Sequence, residues 1–290
     1  MAPEAGVENN ARSWTKVLAQ YRRPNTARST IEIVVTVVPF ALLWVVSALA
    51  VTYGYWWGLL LTIPAAGFLV RLFALQHDCG HGALFSRRGA NDWTGRARYW
   101  LYRHPLVMFG IGPAWVFLCQ YRLPLGMMRA GAQPWISTIA TNLGIAVPAI
   151  ALIWLLGIWP FLMIQLPITL LAATAGVWLF FVQHQFEETH WSQAEDWNFQ
   201  HAALHGSSHY ELPAVLRWFT GNIGIHHVHH LSSTVPFYRL PQVLRDYPEL
   251  RDVGRIGILD SLRCVKLVLW DESARRLVSF REMRATARAG

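Results

Sequence analysis

The run AGAQPWISTIATNLGIAVPAIALIWLLGIWPFLMIQLPITLLAATAGVWLFFVQHQF, residues 130–186, contains 57 residues without one Asp, Glu, Lys or Arg. A helix needs roughly 20 apolar residues to cross a bilayer. The run is therefore long enough for two spans and a tight turn, and Gly157-Ile158-Trp159-Pro160 is where the turn belongs. A second uncharged run of 38 residues covers positions 33–70. It divides at Tyr53-Gly54-Tyr55-Trp56-Trp57-Gly58, again rich in the aromatic residues that sit at a membrane–water boundary. The expected spans are Thr30 to about Thr52, Trp56 to about Gln76, Ser137 to about Leu156, and Phe161 to about Val182. Pro148 and Pro167 fall inside the last two, as membrane helices tolerate.

The predicted architecture is all-α: a four-span transmembrane helical bundle with a cytoplasmic helical, histidine-bearing cap. It forms one membrane domain over 1–290, with a cytoplasmic N-terminal segment at 1–29 and the four spans within 30–183. A cytoplasmic or interfacial middle segment lies at about 77–136, and the cap covers 184–290. Residues 104–121 are uncharged but are broken by Gly110, Gly112 and Pro113, so they read as an interfacial or re-entrant segment rather than a span.

Basic residues set the orientation. Arg12, Lys16, Arg22, Arg23 and Arg28 precede the first span, and Arg71, Arg87, Arg88, Arg96, Arg98 and Arg103 follow the second. The two hairpin turns carry none. Positive charge marks the cytoplasmic side, so both termini and the middle segment are expected there. The net charge of +8 suits anionic lipid rather than nucleic acid, for which no motif is present. Residues 1–30 lack the apolar core of a secretory signal. Cys79, Cys119 and Cys264 are too few and too scattered for a disulfide framework.

The histidines carry the chemistry. His77-Asp78-Cys79-Gly80-His81 closes the second span, His184 closes the fourth, and His226-His227-Val228-His229-His230 lies beyond it. Spacings of i, i+3 and i+4 fall on one helical face. His77 pairs with His81, and His226 with His229 and His230, while His227 points elsewhere. Neutral imidazole is a common ligand for first-row metals, and four histidines in five residues have little structural use. The spans thus deliver His77 and His184 to the same membrane surface, and the chain reads as a metal centre held there. Asp78 and Glu187 are placed to hydrogen-bond ligand imidazoles from behind. His201, His205 and His209 recur at i, i+4 and i+8, but Gly206-Ser207-Ser208 interrupts that stripe, which reads as a polar face. His104 and His190 have no neighbours in sequence and read as structural. No HExxH motif of a metalloprotease occurs, the paired histidines lie outside the spans where a haem cytochrome would place them, and the spans lack the internal charges of a transporter.

Together these residues resemble the integral-membrane fatty-acid desaturases, the bacterial omega-6 or delta-12-like branch in particular. The resemblance rests on His77-Asp78-Cys79-Gly80-His81-Gly82, on Gln183-His184-Gln185-Phe186-Glu187, on Ala203-Leu204-His205-Gly206-Ser207-Ser208, on Gly221-Asn222-Ile223-Gly224-Ile225-His226-His227-Val228-His229-His230-Leu231, and on Pro236-Phe237-Tyr238-Arg239-Leu240-Pro241. It implies an oxidoreductase that inserts a double bond into an acyl chain with O2 and a di-iron centre. It assigns iron ligation to His77, His81, His184, His226, His229 and His230. It implies an acyl-lipid or acyl-carrier substrate, membrane lipid, and a separate ferredoxin-like or cytochrome-like electron donor. The expected location is a bacterial inner membrane.

One part of the family pattern has no counterpart. The family carries a middle HxxHH box between the second and third spans. Here Asn91-Asp92-Trp93-Thr94-Gly95-Arg96 runs straight into Ala97-Arg98-Tyr99-Trp100. We read an internal deletion close to Arg96–Tyr99 and expect impaired activity. The alternatives are a pseudoenzyme of the same fold that binds metal or lipid without turnover, and a related hydroxylase or carotenoid ketolase.

Overall fold

The structure is a computed structural model. It describes residues 14, 16–22, 25–79, 104–124, 127, 131–190, 198–267, 269–271 and 274–289, the side chains at 76–79, 121, 284 and 286–289 excepted. The His81 position, the junction at Arg96–Tyr99, and the side chains of His77 and Asp78 lie outside this description.

Among the described residues, four helical stretches are long and apolar enough to cross a membrane: Thr26–Thr52, Trp56–Leu75, Ala132–Leu156 and Ile158–His184. The four expected spans are all present, three of them longer than read. Helix α1 is Thr26–Thr52 and runs through Pro39. Helix α2, Thr62–Cys79, follows a 3₁₀ stretch at Trp56–Leu61. The segment from His104 onward forms only short pieces, a π-helical turn at Val107–Ile111 and helix α3 at Gly112–Leu118. These are too short to span, as the glycines and Pro113 suggested. Helices α4, Ala132–Leu156, and α5, Ile158–His184, contain Pro148 and Pro167. Their hairpin turns where Gly157 takes φ +87°, a left-handed conformation that a Cβ would strain.

The chain divides into two compact units. One comprises Val34–Val70 and Arg87–Val177. Its core is built from Trp44, Ala48, Ala65, Ile164 and Ile168, with Phe40, Leu69, Leu152 and Phe161 around it. Small residues permit close approach: a Cβ on Gly58 would stand 2.5 Å from that of Ala50. Polar contacts in its core are few. The Trp44 indole donates to Gln165 at 3.0 Å, and the Ser47 hydroxyl to the Gly58 carbonyl at 2.8 Å. Helix α4 buries none of its residues and leaves Trp154 87% exposed, which suits a lipid-facing helix and not a water-facing one.

The other unit comprises Met1–Ile33, Arg71–Ser86 and Trp178–Gly290. Past α5 its described elements are all short. Helices α6 (Phe199–His205), α7 (Ala214–Phe219), α8 (His226–Leu231), α9 (Leu240–Asp246), α10 (Ile258–Cys264) and α11 (Phe280–Ala289) alternate with strands β1 (His209–Tyr210), β2 (Arg255–Ile256), β3 (Leu269–Asp271) and β4 (Arg276–Val278). Strands β1 and β2 pair in parallel, and β3 and β4 antiparallel. Leu18, Leu204, Val228, Val235, Leu240 and Leu250 form its core. At its centre Arg71, 1% exposed, forms a buried ion pair with Glu32, bonds the Trp218 carbonyl, and stacks 3.9 Å over the Trp218 ring. Arg28 reaches Glu32 from the other side at 2.6 Å. These two charges bound the first apolar run, and nothing in the sequence paired them with each other or with Trp218.

Candidate metal centre

The site is assembled from the end of α5 and the one-and-a-half turns of α8. Two left-handed residues, Gly221 (φ +58°) and Asn222 (φ +54°), turn the chain into α8. Gly221 is required twice over, because its Cβ would also stand 2.9 Å from that of Ala74 on α2. The Asn222 amide donates to the Phe237 carbonyl at 3.2 Å. Gln183, 2% exposed, donates to the Ile223 carbonyl at 3.0 Å, and its own carbonyl accepts from the Ser208 N–H. The residue next to His184 thus fixes the end of α5 to the turn that launches the histidine helix. Sequence reading did not single out Gln183, and its only signal was a polar residue in an apolar helix.

His184, His226 and His230 converge. The Nε2 atoms of His184 and His230 lie 3.3 Å apart, and those of His230 and His226 3.0 Å. The three ligand atoms all lie within 4.8 Å of one another. The Nδ1 of His184 is 2.8 Å from the Phe180 carbonyl. A carbonyl only accepts, so Nδ1 carries the proton and the neutral ring turns the Nε2 lone pair toward the other two histidines. The donor set fits a metal. Imidazole nitrogens about 2.0–2.1 Å from one zinc-like ion lie roughly 2.8–3.4 Å apart for bond angles between right and tetrahedral, a range the His184–His230 and His230–His226 separations match. Three all-nitrogen donors suit iron or another first-row metal rather than calcium or magnesium, which take oxygen.

Within the HHVHH segment His227 separates as its helical spacing predicted, whereas His229, expected with His226 and His230, is not among the converging nitrogens. His227 is fully buried away from the trio, and its Nε2 donates to the Leu250 carbonyl at 2.7 Å. Burial pushes its pKa down to about 3, so it stays neutral. His229 is 1% exposed and stacks on His226 with centroids 5.6 Å apart, beside the trio but not among its converging nitrogens. Glu187 is exposed and pairs with Arg276 at 3.1 Å.

The stripe at His201, His205 and His209 is broken as expected: α6 ends at His205 and His209 lies in β1. His190, which has no neighbours in sequence, meets His201 with ring centroids 4.3 Å apart, and His201 meets His205 at 4.5 Å. Burial, then His201, Arg275 and His205, lowers the pKa of His190.

Comparison with known proteins places these residues. The family model for fatty acid desaturases matches residues 93–256, which takes in His184 and the HHVHH segment. A fatty acid desaturase of Bacillus subtilis is 33% identical over 97% of this chain and 94% of its own length. An sn-1 oleoyl-lipid 12-desaturase of Synechocystis is 23% identical over 67% of this chain and 70% of its own. The Bacillus alignment covers 332 positions; 97% of 290 residues is about 281, so about 50 of those positions have no residue of this chain opposite them.

Proposed function

This chain belongs to the fatty acid desaturase family, and from that premise we propose that it is a membrane di-iron acyl-lipid desaturase whose activity is impaired by the loss of the middle histidine box. The observation that carries the reading is the convergence of the His184, His226 and His230 nitrogens from two separate elements. Iron, when bound, would supply with O2 the oxidising power to remove hydrogen from an unactivated methylene.

The chain's own residues do the rest. His184, His226 and His230 present lone pairs to one point, and His77, His81 and His229 complete the proposed ligand set. The Phe180 carbonyl holds the His184 proton on Nδ1 and keeps Nε2 available. Asp78 and Glu187 are proposed to balance the charge that neutral imidazoles leave uncompensated. The substrate is an acyl chain on a membrane lipid, the class named for the Synechocystis relative. Electrons come from a separate ferredoxin-like or cytochrome-like donor. We place the lost segment close to Arg96–Tyr99. The alignment positions of the Bacillus relative that have no residue of this chain opposite them support a missing segment. Both termini face the cytoplasm of a bacterial inner membrane.

The test is expression in a host that supplies membrane electron donors, with fatty-acid profiling and iron quantification. Trace or no new unsaturation, with fewer than two irons per chain, is expected. Abundant new double bonds with two irons would overturn the impairment.

A further inference from the structure

Two short helices of the histidine-bearing unit expose apolar side chains that a water-facing cap has no use for. On α7, Val215 is 66% exposed, and Leu216 and Trp218 are exposed as well. On α10, Leu259 is 76% exposed, flanked by Ile258 and Leu262, while the opposite side buries Ser261 and Cys264. Both helices are far too short to span a bilayer.

Their placement is set by β1 and β2. These strands are parallel neighbours, with Tyr210 opposite Ile256, so the chain leaves both at the same edge. One exit enters α7 at Ala214, the other α10 at Ile258. Two ties fasten this edge to membrane-crossing helices. The Trp178 indole donates to the Tyr210 hydroxyl at 3.4 Å, and that hydroxyl lies 3.0 Å from Ser261 of α10. Arg71 bonds the Trp218 carbonyl and stacks on its ring.

Trp178 stands six residues before the end of α5, and Arg71 eight before the end of α2. At 1.5 Å per residue these anchors lie about 9 Å and about 12 Å inside the ends of those helices. An amphipathic helix that lies on a membrane buries its apolar face about 5–10 Å into the boundary between headgroups and acyl chains. The Trp178 anchor, which holds Tyr210 and through it Ser261 of α10, lies at such a depth. Arg217 and Arg263 are exposed on the same helices, and long basic side chains extend to the phosphate level from such a position.

We propose that α7 and α10 form a lipid-binding platform lying within the bilayer interface, with Val215, Leu216, Trp218, Ile258, Leu259 and Leu262 among the acyl chains and Arg217 and Arg263 at the phosphates. The occupant is bilayer lipid, because the face is tied through Trp178 and Arg71 to two helices long and apolar enough to cross a membrane. Only the six residues Thr220–Ile225 separate α7 from His226, so the histidine-bearing helix lies next to lipid. The inference rests on the fold alone and stands whichever reaction the centre performs.

The test uses the full chain reconstituted in vesicles of phosphatidylethanolamine and phosphatidylglycerol. A trace of phospholipid carries a diazirine on an acyl carbon near the glycerol. After irradiation, adducts are mapped on peptides. Adducts on 214–219 and 258–264, besides those on the spans, are expected. A Leu259→Asn/Leu262→Asn variant should lose the adducts on 258–264 and keep those on 34–51, which also reports that the spans remain inserted. Adducts confined to the four spans would overturn the proposal. So would protein–protein cross-links at these residues in place of lipid adducts, which would mean that a second copy or a soluble partner covers the face.

Discussion

The two compact units hold together by different means. In the unit of Val34–Val70 and Arg87–Val177, cohesion at the core comes from shape: Ala48, Ala65 and Gly58 let helices approach, and the core contacts of Trp44 and Ser47 are neutral. In the unit that carries the histidines, a buried arginine, a buried glutamate and a buried glutamine fix the elements, each against a partner distant in sequence. Lipid gives no hydrophobic push between helices, so packing of small residues is the available device in the first unit. A site that must converge three imidazoles needs directional bonds, and the second unit has them.

The largest separation should appear in metal binding. Replacing His226 and His230 together with alanine is expected to cut iron affinity by more than about 100-fold, since even indirect partners of a ligand are worth about 10–100-fold. Gln165→Leu in the other unit should leave iron content unchanged, as read by metal analysis of protein purified in detergent. Iron retained by the double variant would break the comparison at its strongest point.

Next comes the buried ion pair. Arg71→Ala leaves Glu32 with the exposed Arg28 alone, so the loss should stay below the about 3–5 kcal/mol that a fully unpaired buried charge costs. Thermal unfolding in detergent micelles should show the loss, and Arg71→Met with Glu32→Leu should recover much of it. No recovery in the double variant would mean that Arg71 acts through its bond to the Trp218 carbonyl alone.

Glycines sharpen the contrast at a smaller scale. Gly58→Ala presses on Ala50, and Gly221→Ala combines a left-handed backbone with a close contact to Ala74. Both should destabilise by about 1–3 kcal/mol. Only Gly221→Ala should also lower iron content, because only its turn aims α8. Equal effects on iron from both would show that the two units do not divide the labour.

The smallest effect belongs to the exposed Glu211–Arg255 pair, 2.6 Å apart beside β1 and β2. Its hydrogen bond to Arg255 lowers the pKa of Glu211. A lowered carboxylate pKa contributes stability that is present above the unfolded value and is lost as pH falls through the folded one. Glu211→Gln should therefore change unfolding barely at all near neutral pH, and still less below pH 4. A large loss at pH 7 would contradict its solvent exposure.

Legibility followed the range of each interaction. The four spans were readable because lack of charge over some twenty residues is a local property. Their ends were less so: α1 begins at Thr26 and α4 at Ala132, since a helix continues past the apolar run until its backbone is turned. The separation of His227 from His226 and His230 followed from helical periodicity. The meeting of His190 with His201 did not, because His190 lies outside the helix that carries His201, and periodicity pairs residues only within one helix.

By itself the sequence determined that the chain crosses a membrane, which histidines lie at the ends of apolar runs, and that the middle box has no counterpart. These follow from composition, spacing and comparison of motifs, all one-dimensional. Only the tertiary structure decided that His184 meets His226 and His230, that Gln183 bonds the turn before the histidine helix and Arg71 bonds Trp218, and that two short helices turn apolar faces outward. Arg71 and Trp218 are 147 residues apart, and His184 and His230 are 46. Pairings at such distances depend on which surfaces pack together, and no local pattern in the chain carries that information.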